Sequence, residues 1–211
     1  MKKLLITALA WFGALLIAQQ APAQSPASAP SAPPAVTQRL RATVQSFDGS
    51  TLVLKERSGE VVSLALADNF SVNEVLPVEL SAIQPGSYVG AATMPQTDGS
   101  LQAIEVLVFP EAARGSGEGH YPWDLQPGSM MTNATVGDMA STPQGRTLKL
   151  RYKGGERSIV VPTGTPVVTF KPADRTLLVP GAKVMVTAQV RDGKPTALRA
   201  LAGRNGFTPP M

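Results

Sequence analysis

Leu40-Arg41-Ala42-Thr43-Val44-Gln45-Ser46-Phe47-Asp48-Gly49-Ser50-Thr51-Leu52-Val53-Leu54-Lys55 is the stretch that decides the fold class. Leu40, Ala42 and Val44 alternate with Arg41, Thr43 and Gln45, and a period of two puts each set on one face of an extended strand. Asp48-Gly49 is a hairpin signal, because glycine reaches positive φ at no steric cost. Thr51 to Lys55 then returns as a second strand, and the Ser58-Gly59 turn leads into a third through Val62, Leu64 and Leu66. Alternation fades from Asn69 to Pro85, where the reading is a short extended piece and one helical turn at Leu80-Ser81-Ala82-Ile83, stopped by Pro85-Gly86. Strands resume over Tyr88–Met94 and Leu101–Phe109 around the turn Thr97-Asp98-Gly99.

The second half repeats this grammar. Ala42-Thr43-Val44 matches Ala134-Thr135-Val136, Gly49 to Leu54 matches Gly145 to Leu150, and Gly59-Glu60 matches Gly155-Glu156. Ile83 to Gly86 matches Leu178 to Gly181, and Asp98-Gly99 matches Asp192-Gly193, in the same order and 92 to 96 positions apart. Recurrence in fixed order predicts an internal duplication. Five short strands must also cover their edges, and closure into a small barrel plugged by a helical turn does so. The expected fold is therefore all-β, with two tandem OB-like five-stranded barrels over residues 38–110 and 132–203, a connector over 111–131 and a tail over 204–211. A single two-sheet sandwich shared by both halves is the alternative. Each unit is small enough for a marginal core, so the two are expected to pack on each other.

The opening Val44-Gln45-Ser46-Phe47-Asp48-Gly49-Ser50-Thr51-Leu52-Val53-Leu54, with Pro85-Gly86, resembles a group of exported bacterial proteins of unknown function that carry one or two OB-like barrels. A closer look-alike group also shares Gly117-Glu118-Gly119-His120, Pro122-Trp123-Asp124-Leu125 and Met131-Thr132-Asn133-Ala134-Thr135. The resemblance covers Arg39 to the end and implies fold and export. Some of those relatives carry the label "metal ABC transporter permease", which needs several spanning helices; the single apolar run here, near the start, does not support it.

Residues 1–23 read as a secretory signal, with Lys2-Lys3, an apolar run from Leu4 to Ala18, and Ala21-Pro22-Ala23 before the cleavage point. Residues 24–37, rich in Ala, Pro and Ser, read as a disordered tether. The expected destination is the periplasm, as a soluble chain with no stable membrane insertion after cleavage. The formal charge of +4 includes Lys2 and Lys3. Without them 17 basic residues face 15 acidic ones, about +2, and a nucleic-acid partner is not expected. Arg39, Arg41, Lys55, Arg57, Lys149, Arg151, Lys153 and Arg157 read as solvated outer faces of strands and turns. With no cysteine, disulfides, thiolate metal sites, a cysteine nucleophile and a lipid anchor on cysteine are excluded.

Chemistry-bearing residues concentrate in the connector: the single histidine His120, then Tyr121, Trp123 and Asp124, with Met130-Met131 at its end. These four are the expected contact surface for a small ligand or an envelope partner, either as a clasp between barrels or as an interdomain groove. His120 with Met130, Met131 or Met139 is the set that would suit Cu(I), as an alternative accessory role in copper binding. A purely structural envelope protein is the second alternative. No catalytic residue, metal ligand or cofactor is assigned. Gly115-Ser116-Gly117 lacks the strand-to-helix context of a nucleophile elbow, and Glu118 and Asp124 share one Gly-rich loop rather than facing each other across a cleft. The expectation is a non-catalytic binding or adaptor protein.

Overall fold

The computed structural model describes residues 37–143 and 145–210. The signal expected over 1–23 and the tether up to residue 36 lie outside the described residues, and Thr37 already belongs to the first strand. The chain is all-β: β1 (Thr37–Phe47), β2 (Thr51–Glu56), β3 (Val61–Pro77), β4 (Tyr88–Pro95), β5 (Leu101–Val108), β6 (Gly119–Pro122), β7 (Met130–Thr142), β8 (Gly145–Tyr152), β9 (Gly155–Pro162), β10 (Val167–Ala173), β11 (Lys183–Arg191) and β12 (Lys194–Gly203). Single 3-10 turns stand at Leu80–Ala82, Glu111–Ala113 and Arg175–Leu177. The first is the helical turn expected there.

The hairpins form where the turn residues put them. At Asp48-Gly49 the Asp48 Oδ1 accepts the backbone N–H of Ser50 at 2.9 Å and of Thr51 at 2.7 Å, while Gly49 takes φ 97°. β1, β2 and β3 are consecutive antiparallel neighbours, as the alternation requires. Their inward set includes Val44, Leu52, Leu54 and Leu64, all at most 1% exposed.

Ring closure does not follow the two halves of the sequence. β3 pairs in parallel with β12, β12 with β11 and β11 with β1, so the first ring is β1-β2-β3-β12-β11. The second is β7-β8-β9-β5-β4, closed by the parallel pairs Leu101↔Ile159 and Gln102↔Val160. Each ring thus takes three consecutive strands from one half and a hairpin from the other. The consecutive barrels expected over 38–110 and 132–203 are corrected accordingly. The physical reason is the length of β3: its 17 residues would span about 55 Å if straight, far more than a small barrel's wall. Its last part, Val72 to Pro77, stays paired with β12 as far as Val75 but has β10 in place of β2 on its other side, and so delivers the β4–β5 hairpin to the second ring. β10 returns the chain toward the first ring, which β11–β12 completes.

Each ring has its own core and plug. Leu177 and Leu178 cap the first ring's cluster around Leu54, Val72 and Val186; Ile83 caps the second ring's around Val89, Leu148 and Val161. A third, smaller cluster of Val75, Val168, Met185 and Leu201, with Leu107 and Phe207 against it, packs where β3, β10, β11 and β12 meet. No helix among the described residues is long and apolar enough to cross a membrane.

Candidate functional site

Two register shifts position the site. β4 and β5 pair Ala92↔Glu105 and then Thr93↔Ala103, so Ile104 is an extra residue in β5. β11 and β12 pair Thr187↔Arg199 and then Ala188↔Ala197, so Leu198 is an extra residue in β12. A bulge reverses the in-out parity of a strand. Ala103 and Val106 consequently both point into the second core, while Glu105 and Leu107 point out of it. Ala197, Ala200 and Ala202 point into the first core, while Arg199 and Leu201 point out. The outward pairs from both hairpins line one cleft of ≈ 320 Å³ between the rings.

The first ring contributes Arg39, Met185, Arg199 and Leu201; the second contributes Gly90, Glu105, Leu107, Met131 and Asn133; Phe109 and Phe170 form an end wall, edge to face with centroids 6.0 Å apart. Gly90 is required by space: a Cβ there would lie 2.6 Å from Asn133 Oδ1 and 3.1 Å from the Phe109 ring. Tyr121 and Trp123, with centroids 6.2 Å apart, complete the lining from the connector.

The connector is a strand as well as a loop. β6 pairs with β7, His120 opposite Thr132 and Tyr121 opposite Met131. Trp123 donates its backbone N–H to Ser129 O at 2.8 Å, and Ser129 Oγ donates to Trp123 O at 3.0 Å. Asn133 Nδ2 donates to Tyr121 Oη and to Ser116 O, both at 3.1 Å. Asp124 then reaches the first ring: its carboxylate accepts from Arg41 at 2.8 Å and from Arg39 at 3.5 Å, and the Arg39 guanidinium lies 4.2 Å from the Trp123 ring centroid. The connector is therefore bonded to both rings and is at the same time a wall of the cleft. Burial pushes the Asp124 carboxyl up, but the Arg41 hydrogen bond and the charges of Arg41 and Arg39 outweigh it and hold the group below its usual range.

Of the four residues expected in the site, Tyr121 and Trp123 line the cleft and Asp124 braces its cationic rim. His120 lies on the other face of β6, where its Nδ1 is 2.8 Å from Thr132 Oγ1; burial, then the charge of Arg157, lowers its pKa. Of the methionines in the copper set, Met130 stands two residues from Thr132 on β7, opposite Pro122. Met131 lines the cleft on the opposite face of β7, and Met139 lies seven residues beyond Thr132, about 23 Å along the strand. Arg39 and Arg41, expected on a solvated outer face, are cleft and rim residues, with Arg41 only 11% exposed at its side chain.

Glu105, Asn133 and Arg199 were not legible as site residues. Glu105 is 2% exposed, and no protein group partners its Oε2. Burial pushes its pKa up to about 8, with the charge of Arg41 pulling the other way. Trp123 Nε1 and Asn133 Oδ1, in the same lining, and Arg41 Nε beside it are also buried without a protein partner. Buried polar atoms in native proteins are nearly always partnered, and the four such atoms among the described residues all belong to this region. No family model, curated protein or solved structure matches the chain.

Proposed function

We propose that this chain is an exported, non-catalytic binding protein of the bacterial envelope, built from two OB-like barrels of common origin, which holds a small ligand in the cleft between them. The strand order of each ring supports the OB-like reading: three antiparallel strands, then a hairpin whose last strand pairs in parallel with the third. Matching bulges before Glu105 and Arg199 add to the ordered sequence matches behind the duplication. Lys2-Lys3, the apolar run and Ala21-Pro22-Ala23 support export.

One observation carries the binding reading: unpartnered Glu105 Oε2, Trp123 Nε1 and Asn133 Oδ1 lie in the lining of a single aromatic cleft. Buried polar atoms without partners cost stability unless something binds them, and an apolar cleft with a few convergent polar groups is what a small-ligand site requires. The lining is mostly apolar and aromatic with a few polar groups, which supports recognition as the function.

A fragment screen by ligand-detected NMR, with fragments of positive, negative and zero charge, tests this. Expected are hits that weaken in Gly90→Ala, whose added Cβ moves the Asn133 side chain and narrows the cleft. The absence of hits in every charge class, or hits of unchanged affinity in a folded Gly90→Ala protein, would contradict it.

A further inference from the structure

We infer that the cleft takes a small amphipathic carboxylate, its flat apolar body held between the two ring faces and its anionic group at the Arg39 and Arg199 side. This rests on the cleft being a ligand site and specifies what it selects.

The charges around the cleft do not balance. Three guanidiniums, of Arg39, Arg41 and Arg199, stand at or beside the lining, and Asp124 is the one carboxylate that pairs with any of them. Asp124 is committed to Arg41 at 2.8 Å, with Arg39 farther off at 3.5 Å. Arg199 makes no ion pair among the described residues. The surrounding protein, then the like charge of Arg39, both act against its charged form. An incoming anion relieves that repulsion and meets guanidinium donors in the geometry that suits carboxylates.

Glu105 does not offset this excess. Burial keeps its carboxyl protonated at neutral pH, so it offers the ligand a hydrogen-bond donor rather than a charge. A ligand cation would face three guanidiniums and no free carboxylate. Most of the remaining lining is apolar or aromatic, including Leu107, Leu201, Met131, Met185, Phe109 and Phe170. At ≈ 320 Å³ the space is at the low end for small-molecule sites, which fits a compact fused-ring acid rather than a long acyl chain.

The test compares three probes of one shape and different charge on the full chain: 2-naphthoate, 2-naphthamide and 2-naphthylmethylammonium, titrated calorimetrically at pH 7. Expected is binding of 2-naphthoate about tenfold or more tighter than of the amide, weaker binding still of the ammonium, and a loss of about tenfold for 2-naphthoate in Arg199→Gln. Affinity for 2-naphthoate should also fall as pH rises through about 8, where Glu105 ionises beside the ligand, and this fall should vanish in Glu105→Gln. The other charged groups around the cleft are Arg39 and Arg41 from β1, Arg199 from β12 and Asp124 from the connector; the arginines hold Asp124 below its usual range, while burial raises the Tyr121 hydroxyl. If the amide or the ammonium bound as tightly as the naphthoate, or if Arg199→Gln bound naphthoate unchanged, the anion preference would be overturned while the binding reading stood. If none of the three bound, the carboxylate class would be overturned, and the fragment screen alone would decide whether the cleft binds anything.

Discussion

Glu105 and Arg199 occupy the same place in the two exchanged hairpins, two residues before the leucine that faces the cleft, and just after the bulge that turns them outward. Their surroundings differ. Glu105 is enclosed and uncharged at neutral pH, whereas Arg199 stands at an exposed rim near Arg39. The same backbone thus presents a neutral hydrogen-bonding face from the second ring and a cationic face from the first. The different residues at these matching positions make the groove cationic at one side and neutral at the other.

The comparison is broken most severely by cutting it in two. Because each ring needs a hairpin from the other half, residues 37–110 and 130–210 expressed separately should show no cooperative thermal transition, and mixing them should restore one. Independent cooperative melting of either half would refute the exchange of strands.

A smaller effect separates the rings at equivalent turns. Gly145 has φ 144°, and a Cβ there would lie 2.1 Å from Val161 O, so Gly145→Ala must move the backbone of the second ring. Gly49 has φ 97° with nothing within 4 Å, so Gly49→Ala meets only left-handed strain. Denaturant melts should show a loss of about 3 kcal/mol or more for the first and about 1 kcal/mol for the second. Equal losses would mean the turns are equivalent in packing as well as in sequence.

Glu105 supplies the smallest and most specific contrast. Its carboxyl titrates at an ordinary 4.5 when unfolded and at about 8 when folded, so the native state binds the extra proton between those values. The stability it confers is complete below pH 4.5 and is lost as pH rises toward 8, by up to about 1.4 kcal/mol per unit. Glu105→Gln removes the titration. The variant should gain on the wild type steadily from pH 5 to 8, whereas Arg199→Gln should track the wild type within about 0.5 kcal/mol at every pH. A pH-independent difference for Glu105→Gln would place that carboxyl in water.

The strands and turns were legible because their signals are local: Asp48-Gly49, Ser58-Gly59 and Asp98-Gly99 fix hairpins whatever ring they join. Ring membership was not legible. It depends on β3 running unbroken through Asn69 to Pro77, where alternation is lost as the strand passes from one neighbour to another. Tyr121, Trp123 and Asp124 stood out by residue type in a Gly-rich connector. Glu105 and Arg199 did not stand out by residue type, and the signal that finds them is the skipped parity of Ala103 to Val106 and Ala197 to Ala200, which marks a bulge on each strand.

The central claim is that the two ring faces meet over a ligand site. Chemical-shift mapping of the ¹⁵N-labelled full chain with a screened fragment tests it most directly, read at the Trp123 indole N–H and the Asn133 side-chain amide. The account predicts saturable shifts at both, with neighbouring shifts confined to β5, β6, β7 and β12. Shifts scattered over the outer strands, with Trp123 and Asn133 unmoved, would contradict it.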